Sequence, residues 1–126
     1  MKLTDLPAIG APLPGGTYAG LIHTPEGLHH LVLLDDTPPS RLTWQDAIAW
    51  AKSIGADLPS RVEALVFYKH LPSKFEREWH WTNEQHSAVY TWTQLFYHGY
   101  QYDSGKKYEG RARAVRRISI TPYQEK

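Results

Sequence analysis

Two apolar runs, TYAGLIH and LHHLVLL, flank Thr24-Pro25-Glu26-Gly27. β-Branched and aromatic runs on either side of a Pro-Gly turn predict a β-hairpin. Asp35, Asp36, Pro38 and Pro39 end it. Ahead of it, Pro7, Pro12, Pro14, Gly15 and Gly16 predict a lead-in over residues 1–16 with turn or extended backbone.

The period then changes. Thr43 caps a helix with Asp46 at its third position, where a carboxylate also meets the positive end of the helix dipole. Trp44, Ala47, Ile48, Ala51 and Ile54 follow at helical spacing, and Gly55 stands where a left-handed terminal residue is wanted. After Leu58-Pro59, Ser60 and Glu63 form a capping box for a second helix of about three turns. Its apolar stripe is read as Val62, Leu65 and Val66, and it closes near Leu71-Pro72.

From Trp79 onward the runs are short and aromatic: WHWT, AVYTWTQLFY, GYQY and RARAVRRISI. Tyr90, Trp92, Gln94 and Phe96 alternate with period two, which places large rings on one strand face. Hairpin, two helices and a β-rich end predict an α+β fold, two helices packed on a small, mostly antiparallel sheet. At 126 residues, without repeat, low-complexity tract or linker, residues 1–126 read as one domain. Trp44, Trp81, Trp92 and Phe96 are the expected core rings.

Composition narrows the chemistry. Lys+Arg 14 against Asp+Glu 13 leaves no strong overall field to draw the chain to nucleic acid or membrane. Locally, Lys106, Lys107, Arg111, Arg113, Arg116 and Arg117 gather against only Asp103, Glu109 and Glu125. The absence of cysteine excludes disulfides, thiolate metal sites and cysteine nucleophiles. MKLTDLPAIGAPLPGG has no apolar signal-peptide core, and the longest wholly apolar run is Leu31 to Leu34. The expectation is a soluble protein, cytoplasmic or virion-associated, with neither signal peptide nor membrane insertion.

Five pieces occur in a family-like order: Trp44-x-x-Ala47; Leu58-Pro59-Ser60-Arg61-x-Glu63; Trp81-Thr82; Trp92-x-Gln94-x-Phe96-x-x-Gly99-Tyr100-Gln101; and Arg111-x-Arg113-Ala114-Val115-Arg116-Arg117. On these the chain resembles bacterial and phage domains of C-type-lectin-like fold, related to the C-terminal domain of a collagen-like bacterial adhesin. More distantly it resembles formylglycine-generating-enzyme-like domains. Asn83-Glu84 departs from the pattern, which has small hydroxyl residues there. The resemblance implies chain ends that lie close together, variable loops that bind ligands, and a place in an adhesion or phage system. Fold analogy does not name a ligand.

The residues point away from catalysis and metals. Glu-Pro-Asn and Trp-Asn-Asp calcium motifs are absent, and Asn83 with Glu84 supplies two oxygens where Ca²⁺ takes six to eight. His23, His29 and His30 are candidates to meet across the hairpin, as are His80 and His86 across a loop. Adjacent His29 and His30 point to opposite strand faces, so no metal is expected. No serine lies in a Gly-x-Ser-x-Gly elbow, and cysteine-pair oxidation is excluded. No enzyme and no cofactor is predicted.

The expected site is instead aromatic. Tyr97, Tyr100, Tyr102 and Tyr108 lie among Gly99, Gly105 and Gly110, read as flexible points, and outnumber what a core rich in Trp can hold. Together with Arg111, and with Lys106 and Lys107 at the rim, they form a shallow surface for a protein or glycan ligand. The alternative is a nucleic-acid-binding or regulatory accessory protein that uses the basic C-terminal strand. Against that, these arginines can lay their stems over aromatic rings and pair with Glu63 or Asp57, with Arg116 the one expected to be partly buried and paired.

Overall fold

The computed structural model describes residues 6–120; the first five residues of the lead-in, and Glu125, lie outside them. The hairpin forms as predicted from β2 (Gly16–Thr24) and β3 (Gly27–Leu34), turning at Pro25-Glu26. The lead-in supplies a two-residue β1 (Pro12–Leu13) paired to β2, and β7 (Val115–Ser119) closes the other side of β3. The order β1-β2-β3-β7 is antiparallel throughout. A second antiparallel sheet, β4 (Trp79–Gln85), β5 (Tyr90–Leu95) and β6 (Gln101–Gly105), stands apart from the first. The α+β class is therefore realised with two sheets, where one was expected.

β3 explains the placement of the helices. Its apolar run is buried on both faces: Leu31 and Leu33 look one way, Val32 and Leu34 the other. Helix α1 (Trp44–Ser53) sets Ala47 and Ala51 in a cluster with Val32, Leu34, Leu58 and Trp81. Helix α2 (Arg61–His70) sets Phe67 against Leu31, Leu33, Phe75 and Phe96 on the opposite face. The central strand is thus covered by a helix on each side. Both predicted caps form: Thr43 accepts from Asp46 N–H, and the Ser60/Glu63 box is complete. Gly55 is left-handed, at φ 71°.

The stripe of α2 differs in part from the expected one: of its three residues only Val66 packs against the core. Val62 and Leu65 are 58% and 43% exposed, and Ala64, Phe67 and Glu63 are buried. Ala64, Phe67 and Leu71 also repeat at helical spacing, and the charge on Glu63 decides between the two faces. Its carboxylate is 1% exposed. Glu63 Oε1 accepts from Ser60 N–H at 2.7 Å and from Arg117 Nη2 at 2.7 Å, and Oε2 accepts from Arg117 Nε at 2.6 Å. Arg117 Nη1 also donates to Asp57 Oδ2 at 2.8 Å, which accepts in turn from Asn83 Nδ2 at 3.0 Å. A bidentate fork on a buried carboxylate is a strong, geometrically specific contact. The arginine that pairs is Arg117; Arg116, its strand neighbour, points to the other face and is exposed.

Only part of RARAVRRISI is strand. Arg111 to Ala114 run irregularly, held by single bridges such as His80↔Arg111, because Ala112 and Ala114 are drawn into the core beside Trp81. Asn83 and Glu84 belong to β4, not to a loop. Asn83 serves Asp57, and Glu84 accepts from Arg61 N–H at 2.9 Å.

Arg117→Met leaves the Glu63 carboxylate buried without its cation and should cost about 3–5 kcal/mol in urea denaturation. Adding Glu63→Gln to Arg117→Met should recover most of that loss. A single-variant loss below ~1 kcal/mol would show that the pair does not hold α2 to β7.

Candidate functional site: an aromatic cleft and a polar pocket

The four predicted tyrosines are all exposed, but they do not make one surface. Tyr97 and Tyr100 sit in the β5–β6 turn, where the rings of Tyr97, His98 and Tyr100 follow one another at 4.2 and 5.7 Å and Arg77 lies 4.6 Å from the Tyr97 centroid. Lys106, Lys107 and Tyr108 follow the far end of β6, beyond the five residues of that strand. Tyr102 stands between them on the edge strand. Arg111 belongs to neither group, because Glu78 holds it from Nε at 3.3 Å and Nη2 at 3.2 Å.

Two of the three glycines, Gly99 and Gly110, are packing requirements. A Cβ on Gly99, at φ +83°, would lie 2.5 Å from the Tyr68 ring, and one on Gly110 would lie 2.2 Å from Trp79. They let rings close over backbone and are not hinges.

At the far end of β6 lies a cleft of about 850 Å³, lined in part by Trp44, Gln45, Gln85, Tyr90, Lys106 and Tyr108. The start of α1 fixes one wall: Trp44 N–H donates to Lys106 O at 3.1 Å, and its indole Nε1 to Thr82 O at 2.9 Å. Lys106 Nζ sits 4.8 Å from the Trp44 ring and donates to Gln85 Oε1 at 2.6 Å and Ala88 O at 2.9 Å. Contact over a ring face favours a cation by about 0.5–1 kcal/mol at exposed sites. Tyr108 is 69% exposed. Sequence reasoning missed Trp44, Tyr90 and Gln85, because their approach to Lys106 joins three separate stretches of chain.

Trp81 and Phe96 are buried, and Trp44 and Trp92 are largely buried with part of each ring open. Each partly open ring carries a cation, Lys106 on Trp44 and Arg61 on Trp92 at 3.7 Å. Beside Trp92, exposed His86 Nδ1 meets Asp103 Oδ2 at 2.6 Å. The other histidines are dispersed: His80 is buried against Phe75 and Phe96, and His30 Nδ1 meets Tyr18 Oη at 2.9 Å. Among the described residues no three His, Asp or Glu side chains converge as a metal site.

A second, smaller pocket of about 260 Å³ lies where the segment before α1 meets the 3-10 turn Pro72–Lys74. His80 and Arg113 form part of its wall. His80 Nδ1 lies 3.0 Å from Glu78 O, so Nδ1 carries the proton of a neutral ring. Burial pushes its pKa down to about 4. Arg113 and Arg111 add to that effect, and the bond to the Glu78 carbonyl and the Glu78 charge oppose it.

No protein-family model matches the chain, and no curated protein matches it. Among the described residues no helix is long and apolar enough to cross a membrane.

The His80 shift predicts an acid limb in stability. A histidine with a folded pKa below its unfolded 6.5 binds more protons when unfolded, so its contribution is full above pH 6.5 and lost as pH falls toward 4. The gap is worth about 3 kcal/mol. His30, pushed down by burial and by His29, acts in the same direction. Urea midpoints between pH 6.5 and 4 should fall in the wild type, and the slope should shrink in His80→Asn, which keeps a donor near Nδ1. An unchanged slope would mean that His80 is not the titrating group.

Proposed function

We propose that this chain is a non-enzymatic binding domain of the C-type-lectin-like kind, and that it takes a glycan in the cleft between Trp44, Tyr90 and Tyr108. The observation that carries the proposal is the composition of that cleft. Three aromatic rings stand beside the amides of Gln45 and Gln85, the Thr43 hydroxyl and the Lys106 ammonium. A sugar ring has a face of C–H groups and a rim of hydroxyls; the first suits aromatic faces, and the second needs convergent donors and acceptors.

The scaffold is consistent with that kind. Strands from both ends of the described chain, β1–β2 and β7, lie in one sheet, and the cleft is built from the other sheet, its loops and the start of α1. A role in an adhesion or phage system rests on the sequence resemblance alone and belongs to the same proposal. Against catalysis, no described serine or threonine hydroxyl hydrogen-bonds a histidine; Ser60 caps α2, and Ser53 donates to Trp50 O.

Nucleic-acid binding is the weaker reading because most C-terminal cations are already engaged. Arg111 holds Glu78, Arg113 donates to the Leu34 and Lys74 carbonyls, and Arg117 holds Glu63 and Asp57. A nucleic-acid backbone needs a row of exposed cations along one surface, and these three are instead tied to separate partners.

A glycan array should identify sugar ligands, and titration followed by tryptophan fluorescence should report on Trp44. Tyr90→Ala combined with Tyr108→Ala should weaken binding by about 30-fold or more, the effect of losing ~2 kcal/mol at a hot spot, with little change in Tm. Loss of binding in Tyr97→Ala/Tyr100→Ala alone would move the combining surface to the β5–β6 turn. Retention on single-stranded DNA with steep salt dependence, and on no glycan, would overturn the proposal.

A further inference from the structure

The small pocket beside His80 carries a different chemistry from the cleft. It is lined by Ser40, Ser73, Lys74, Glu76, His80, Arg111 and Arg113, with Phe75 as its apolar wall. Three cations face one carboxylate. Glu78, just outside it, is shared by Arg41 and Arg111.

Arg113 is the unusual member. Its Nη1 donates to Lys74 O, its Nη2 to Leu34 O at 2.8 Å, and its guanidinium lies 5.2 Å from the Phe75 ring centroid. Among the described residues its hydrogen-bond partners are these two carbonyls and no carboxylate, and its Nε–H is buried without an acceptor. A partly buried cation whose hydrogen-bond partners are neutral favours an anion beside it. Burial lowers its pKa and Asp35 opposes that, as expected for such a group.

His80 narrows the class of anion. Its Nδ1 proton is given to Glu78 O, so Nε2 presents a bare lone pair and has no partner among the described residues. A sulfate or a carboxylate has only acceptors to place there. A phosphate that keeps one P–OH donates to Nε2 and turns its charged oxygens to the arginines and the Ser40 and Ser73 hydroxyls.

The geometry points to a binding site for a monoprotonated phosphate group, free or as a phosphomonoester, in the pocket formed by Ser40, Ser73, His80, Arg111 and Arg113. Arg111 supplies a guanidinium whose Nη1 is not used by Glu78. Arg113 adds its charge from the pocket wall, and Lys74 adds charge at the rim. A volume of about 260 Å³ is several times the ~30 Å³ of a water, so it holds a tetrahedral group with a small substituent. The site stands independently of the glycan cleft, and its probes differ.

The test titrates the intact chain with inorganic phosphate, then with sulfate, at one ionic strength and near-neutral pH. Phosphate should raise Tm in proportion to ln(1 + [L]/Kd), and sulfate should do so far less. Arg111→Gln should weaken phosphate binding by at least ~10-fold, the cost of one charge-assisted hydrogen bond. Arg113 anchors two carbonyls, so its substitution risks the fold; an NMR titration of the His80 ring in the wild type is the second readout. Bound phosphate should perturb the His80 ring resonances, and sulfate should leave them in place. Tighter binding of phosphoserine than of inorganic phosphate would identify a phosphorylated ligand as the source, and the reverse order free phosphate. Equal responses to sulfate and phosphate, or an Arg111→Gln variant and a His80 ring that respond as if phosphate bound elsewhere, would overturn the assignment.

Discussion

Glu63 keeps a full carboxylate in an interior that leaves it 1% exposed, and it is held there by the Ser60 amide and the Arg117 fork. Because a buried charge is tolerated only when paired and hydrogen-bonded, the rotation of α2 about its axis follows from that carboxylate. Asp57 extends the contact from β7 to Asn83 on β4, so the two sheets and the second helix meet at one polar node. Hydrophobic burial supplies the driving force for the fold, and this node selects which apolar face of α2 is used.

The same node changes what the C-terminal charges do. A run with six cations reads as a basic patch, yet Arg117 pairs with acids, and Arg113 is anchored by two carbonyls and an aromatic face in the wall of a pocket, not on an open surface. Lys106 stands over Trp44 and ties down the loop before β5 through Ala88 and Gln85. The cations act mainly as local staples, which fits the near-zero net charge.

β4 connects the two candidate sites. Near its start, His80 reaches the polar pocket, and at its end Gln85 reaches the aromatic cleft. Trp81 between them is fully buried and donates to Leu42 O at 2.8 Å, which fixes the segment leading into α1. One strand thus contributes to the walls of both concavities, and the rest of the ligand chemistry comes from loops and helix ends around it.

What depends on near neighbours in the chain was legible without coordinates. The Pro-Gly hairpin, the Thr43 and Ser60 caps, Gly55 and the β-rich second half rest on signals a few residues long, and all are present. The exposure of Tyr97, Tyr100, Tyr102 and Tyr108 was also readable, from the excess of aromatic volume. The inward turn of Glu63, the choice of Arg117 over Arg116, the separation of the tyrosines into two groups and the meeting of Trp44 with Lys106 were not readable. Each is decided between groups distant in sequence, 54 residues apart for Arg117 and Glu63. Helical and strand periods leave such contacts open, and only the closing of the two sheets around β3 brings the partners within reach.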